Sequence, residues 1–312
     1  LTKKDLGGLP SDLISILKQS GIDRNQVMPT LTLSRSHLIP FLENSSRRDL
    51  REKAYKAWVS RGANKNKNNN FSIINEILGL RNERAILLGY KNFASFKLET
   101  EMASNEETVK SFLKSVWEPA KLKALHEYKE LQDLIRQDDA GMRLLPWDRR
   151  YYQAKLQKQL FNFNSMELKP YFKLHAIIEA AFYVAKKLFN LDFFSLSFLA
   201  YHPDVKTWEV KRNGAHIGIF MGDYFARESK RSGAWCSSFR SQSKFPKIIS
   251  PVTINVCNFA KPTKGSDALL TFDDATTLFH EFGHALHNLL SNVTYEMVSG
   301  TSVARDFVEL PS

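Results

Sequence analysis

Apolar residues recur at helical spacing from Ser11 to about Asp192, and then the pattern changes. SDLISILKQSG opens on a Ser that reads as a helix cap and closes at Gly21, and RRDLREKAYKAWVSRG closes at Gly62. NKNKNNN, residues 64–70, is a polar run that reads as a loop between helices, not as a linker between domains. FSIINEILGLRNERAILLGY, ETVKSFLKSVWEPAKLKALHEYKELQDLIRQ and the stretch from Met166 to Phe189 predict further amphipathic or buried helices. Pro119 is expected to kink or divide the second of these. Beyond Asp192, VKTWEV alternates, Asn213-Gly214 supplies a tight turn and AHIGIFMGDYF follows, which is the pattern of a β-hairpin. SPVTINVCNF, residues 250–259, is rich in β-branched side chains and predicts a third strand. LTFDDATTLFHEFGHALHNLLS then returns to helix, with Thr271 and Asp274 at capping-box spacing. The expected architecture is mainly α with a small β-sheet. Residues 1–196 form a helical body, and 197–312 hold the sheet and a histidine-bearing helix pair.

Composition narrows the function classes. At 312 residues, with 43% hydrophobic and 25% charged residues, the chain can bury a substantial core. The net charge of +11 raises the question of a polyanion partner. Lysines and arginines are mixed with acids, as in SSRRDLREKAYKAW, so a solvated surface accounts for them and no nucleic-acid partner is expected. No run approaches the roughly 20 apolar residues of a membrane helix. The greasiest stretch, YFKLHAIIEAAFYVAKKLF, is interrupted by Lys173, His175, Glu179 and Lys186 and reads as a buried helix, so no membrane association is expected. Cys236 and Cys257 make no disulfide framework and LTKKDLGGLP has no signal pattern; a cytoplasmic monomer is expected. The chain opens without Met and stops at VELPS, so it reads as a piece of a longer protein.

The chemistry concentrates in HEFGHALH, residues 280–287. At about 100° per residue, His284 falls about 40° round from His280 and one turn along, so both imidazoles point toward one place. Two nitrogens so placed suit a zinc ion, and Glu281 flanks that place without pointing at it, where it can hold a water. Gly283 in mid-helix costs about 1 kcal/mol against Ala, which predicts close backbone packing against a neighbour or a substrate. His287 has a suitable angle but lies a further turn of about 5 Å away, and one straight helix does not converge three side chains on a tetrahedral ion. Three roles stay open for it: supporting a ligand, facing a substrate, or packing in the core. Glu296, Asp306 and Glu309 remain as possible third ligands. Glu296 is expected to be exposed. SGTSVARDFVELPS reads as a loop entering a second, antiparallel helix that can return the Glu309 carboxylate to the metal. On the same face, Asp306 can either fix a ligand imidazole's tautomer or serve the helix dipole.

HEFGHALH and RDFVELPS at this spacing, with SGAWCSSF, VTINVCNF and ALLTFDD before them, resemble the thimet oligopeptidase and neurolysin family of zinc peptidases. GAWCSSF and RDFVELPS look more like its bacterial peptidyl-dipeptidase branch than like oligopeptidase A. The similarity extends from LTKKDLGGLP through LLPWDRRYY and YHPDV to the last residue. The resemblance implies a neurolysin-like zincin fold, one Zn2+ per chain held by His280, His284 and Glu309, and Glu281 as catalytic base. It implies that Gly233, Ala234 and Trp235 lie near a sheet edge lining the substrate cleft; core packing is the other reading of Trp235. It also implies short peptides as substrates, release of C-terminal dipeptides, and a deep channel that excludes folded proteins. Cleavage in the manner of oligopeptidase A and an inactive peptide-binding fragment are the alternatives. Members of the family are longer, so the chain is expected to be a middle slice that lacks an N-terminal helical part. The C-terminal part, which supplies tyrosine and histidine donors to the oxyanion, is expected to be missing too.

Overall fold

The computed structural model describes residues 1–162, 165–197, 200–262 and 266–312. The chain forms two compact units, Leu1–Phe163 and Asn164–Ser312.

The first unit is helical: α1 (Ser11–Ile22), α2 (Arg35–Asn44), α3 (Arg48–Val59), α4 (Phe71–Leu87), α5 (Phe93–Leu98), α6 (Glu106–Asp138) and α7 (Arg149–Phe161). Leu13 and Leu17 of α1, Leu38, Phe41 and Leu42 of α2 and Ala54 of α3 share one apolar core. Leu131, Leu134 and Ile135 of α6 share another with Leu144 and Tyr152. The buried carboxylate of Asp148, just ahead of α7, pairs with Arg48 at 2.7 Å and Arg51 at 2.9 Å and so fastens α3 to α7. A buried charge persists only with partners of this kind.

Two sequence expectations shift here. Ser11 is the first residue of α1 and Pro10 takes the cap position, while the helix runs through Gly21 to Ile22. A Cβ on Gly21 would stand against the Met28 carbonyl, so this glycine serves close packing and not termination. Pro119 leaves α6 undivided; the lost backbone bond is absorbed by a helix of 33 residues. The 64–70 segment is a loop between α3 and α4, as expected. Most of α4 and the forward part of α6 turn apolar side chains to solvent, among them Phe71, Ile74, Leu78, Phe112, Trp117 and Leu125.

The second unit contains α8 (Ser165–Leu168), α9 (Leu174–Phe189), five strands and α10 (Phe272–Leu289). It begins ahead of the 196/197 boundary read from periodicity, because α9 packs Leu174, Ile177, Ile178, Ala181 and Ala185 into the core that the sheet and α10 share. Only that face of α9 is buried; Tyr183 and Leu188 are exposed. The strands β1 (Leu191–Ser195), β2 (Lys206–Arg212), β3 (Ala215–Phe225), β4 (Trp235–Arg240) and β5 (Val252–Phe259) lie in the order β1-β2-β3-β5-β4. The β2–β3 hairpin turns at Asn213 and Gly214, at φ 53° and 80°, the positive values that a two-residue turn of this hand requires. β5 then pairs with β3 in parallel, and β4 closes the sheet as an edge strand antiparallel to β5.

The histidine helix is set by its cap and its aromatic face. The Thr271 hydroxyl accepts from the Asp274 N–H at 3.1 Å and the Asp274 carboxylate accepts from the Thr271 N–H at 3.0 Å, the expected capping box. Phe282 on α10 packs against Phe182, Phe193 and Phe220, with ring centres 5.4–5.8 Å apart. After α10 the expected second helix is replaced by a chain of turns: Phe307 bonds to Ala304 and Leu310 to Phe307. Pro311 disfavours helical geometry at Leu310 and brings no N–H of its own. Among the described residues no helix is long and apolar enough to cross a membrane.

Candidate metal centre

His280, His284 and Glu309 converge. One donor atom from each lies within 4.8 Å of the others, and this is the group of its kind found among the described residues. The Nε2 atoms of His280 and His284 stand 3.2 Å and 3.1 Å from the same Glu309 oxygen. Donors bound to zinc at about 2.0–2.1 Å in a tetrahedron stand about 3.3 Å apart, so the spacing and the donor chemistry both fit that ion. The two imidazole rings lie 4.8 Å apart at 81°, nearly edge to face. His284 is buried, while the side chains of His280 and Glu309 are 43% and 66% exposed, so the group opens to solvent on one side. The Nδ1 atom of His284 is buried with no hydrogen-bond partner among the described residues.

Glu281 is 6% exposed and stays outside the donor group. Burial raises its pKa above the ordinary carboxylate value; His280 and His284 pull it down, Glu309 pushes it up, and the backbone N–H of Cys236 on β4 pulls it down. The edge strand therefore runs beside this carboxylate. Burial pushes the Cys236 thiol on that strand up to about 12.

The other sequence candidates are placed as follows. His287 lies outside the donor group, with its Nδ1 buried and without a hydrogen-bond partner among the described residues and its ring 6.5 Å from that of Phe307. Its pKa is lowered by burial first and by His284 second. Asp306 is exposed, on the turns that replace the expected helix, and does not partner the His284 Nδ1. Glu296 is exposed in a short 3-10 turn. Gly233, at φ +95°, leads into β4, and its carbonyl accepts from Asn258 at 2.7 Å. Ala234 and Trp235 are half-buried; Trp235 packs beside Ile254 and Val256 under the Arg231 guanidinium, so its ring contributes to the core.

Gly283 explains how the third donor comes so near. A Cβ there would stand 2.5 Å from Ser312 Cα and 2.8 Å from the Pro311 carbonyl oxygen, so the neighbour expected from sequence is the segment that carries Glu309. Gly→Ala inside a helix ordinarily stabilises by about 1 kcal/mol. Here Gly283→Ala is expected to drive residues 309–312 off α10 and weaken zinc binding, with little loss in melting temperature. Chelator competition and a thermal melt on the same protein check this.

Periodicity missed β1 and β4, although the resemblance puts Gly233, Ala234 and Trp235 near a sheet edge, and the contact between Cys236 and Glu281 was not foreseen. The left-handed Asn190 that ends α9 at φ 58° was the available signal for β1; WCSSFR carries no comparable one.

A family model described as Peptidase family M3 matches residues 41–312. Dipeptidyl carboxypeptidase of Escherichia coli (strain K12) is 37% identical over 298 residues, which is 95% of this chain and 43% of that relative. Oligopeptidase A of Salmonella typhimurium is 34% identical over 317 residues, 99% of this chain and 47% of the relative. Saccharolysin of Saccharomyces cerevisiae is 30% identical over 333 residues, 100% of this chain and 46% of the relative. The chain thus spans less than half the length of the curated relatives that it matches.

Proposed function

This chain belongs to peptidase family M3, and from that premise we propose that it is the metal-binding part of a zinc peptidase that cleaves short peptides. The convergence of Glu309 on His280 and His284 carries the reading. These three residues would hold one Zn2+, which when bound supplies a Lewis acid that acidifies water to a pKa of about 7 and polarises a carbonyl. Glu281 is the general base: its buried, upward-shifted carboxylate takes a proton from the attacking water and gives it to the leaving amine. The edge of β4, entered through Gly233, Ala234 and Trp235, offers main-chain groups along which an extended peptide can add as a strand. His287 packs its ring near Phe307 of the segment that carries the third ligand, and Asp306 belongs to the same segment.

The similarity to dipeptidyl carboxypeptidases favours release of C-terminal dipeptides; oligopeptidase A-like internal cleavage is the second reading. Digests of defined peptides by a form extended to the length of these relatives separate the two by product mass. Two free cysteines, Cys236 half-buried and Cys257 buried, agree with a cytoplasmic setting.

Zinc titrated into the 312-residue chain at neutral pH is expected to bind weakly, with slow peptide turnover or none, since more than half of each relative's length has no counterpart here. Tight nanomolar binding with brisk cleavage would contradict that expectation. Glu309→Gln tests the centre itself. It should lower zinc affinity about tenfold or more, and unchanged affinity removes Glu309 from the ligand set.

A further inference from the structure

Asn288 sits one turn beyond His284 on α10 and is 7% exposed. Its amide joins three elements. The Oδ1 atom accepts from the Thr301 backbone N–H at 3.1 Å and from the Thr301 hydroxyl at 3.4 Å. The Nδ2 atom donates to the Cys236 sulfur on β4 at 3.6 Å, on the same residue whose backbone N–H bears on Glu281. Just past the helix, the Ser291 hydroxyl accepts from the Gly300 N–H at 3.0 Å and from the Ser299 hydroxyl at 3.1 Å. Gly300 has φ +52°, and a Cβ there would fall on the Asn288 amide oxygen, so the 299–301 turn is shaped around that side chain.

From this turn the chain passes through the tight bonds at 304–310 to Glu309. The Glu309 side chain is 66% exposed, so its place near the imidazoles is set mainly by where its backbone is led. We propose that Asn288 is a positioning residue for the metal centre: its amide pins the 299–301 turn to α10 and β4 and thereby sets where Glu309 delivers its carboxylate. The inference rests on His280, His284 and Glu309 being the zinc ligands. Asn288 touches none of the donor atoms. Its effect is to remove conformations in which the third ligand swings away, so its loss weakens metal binding through Glu309 alone.

A double-mutant cycle tests this on the full 312-residue chain. Zinc affinity is measured by competition with a chromophoric chelator for the parent, Asn288→Leu, Glu309→Gln and the double variant, and each metal-free protein is melted. Asn288→Leu keeps the branched shape of the side chain and removes both its acceptor and its donor, and should weaken zinc binding about tenfold. The double variant should bind no more weakly than Glu309→Gln alone, because both changes act through one carboxylate. An equal further loss in the Glu309→Gln background, or no loss in either, overturns the proposal and leaves the zinc site standing. Unchanged affinity in Glu309→Gln overturns the zinc-site reading instead. Asn288→Asp guards against a variant that merely fails to fold. It retains the acceptor for Thr301 and gives up only the long contact to the Cys236 sulfur, so it should bind zinc clearly more tightly than Asn288→Leu, whereas a loss as deep as that of Asn288→Leu overturns the proposal.

Discussion

Glu281→Gln in a form extended to the length of its relatives is expected to lower kcat/KM for peptide cleavage by about 10²–10⁴-fold while zinc content stays at the unmutated level. The change is nearly isosteric at a side chain that is 6% exposed, so packing on α10 is preserved. It removes a charge that burial already disfavours, and stability should not fall. What is lost is the ability to take a proton from water and return it to the departing amine. Atomic absorption on the purified variant reads the metal, and a fluorogenic peptide reads the rate. Loss of zinc would make Glu281 a ligand, and unchanged cleavage would remove it from the chemistry.

The second large effect is on stability. Asp223 on β3 is 1% exposed and accepts from Arg227 at 2.6 Å and 2.8 Å, from Lys230 at 2.9 Å and from the Tyr201 hydroxyl at 2.6 Å. Lys230 is itself buried and also donates to the carbonyls of Asp223 and Phe225, both at 2.8 Å. Removing the carboxylate leaves two cations together without their counter-ion, so Asp223→Ala should cost about 3–5 kcal/mol.

The same cluster sets an acid dependence. Burial alone would raise the pKa of Asp223, but the bonds from Arg227, Tyr201 and Lys230 overrule it and hold the group at about 2, against an ordinary 3.8. Since the folded value is the lower one, the contribution of about 2 kcal/mol is complete above the ordinary pKa and fades as pH falls from there through about 2. Urea midpoints for the parent and Asp223→Asn, measured between about pH 2 and 6, should converge toward the acid end. Parallel curves would show that the carboxylate gains nothing from its partners.

Local chemistry made much of this legible in the sequence. The Asn213-Gly214 turn, the Thr271–Asp274 box and the one-turn spacing of His280 and His284 are each decided within a few residues, and each stands where expected. What escaped was decided by distant partners. LDFFS in β1 and WCSSFR in β4 carry no clear apolar–polar alternation and are strands because β2 and β5 accept them. The parallel pairing of β3 with β5 leaves no local mark at all. The carboxylate of Glu309 does reach the imidazoles, but on turns instead of a helix, guided by contacts at Gly283 and Asn288 that lie on another element.

The solvent-facing apolar sides of α4 and α6 govern how such a polypeptide behaves when produced alone. With Phe71, Leu78, Phe112, Trp117 and Leu125 in water, self-association is opposed mainly by mutual repulsion among molecules that each carry a net charge of +11. Concentrated sulfate would act against it twice, by screening that repulsion and by strengthening apolar attraction. Handling the protein in dilute buffer, well below its pI of 9.5, keeps the charge that holds these greasy helices apart.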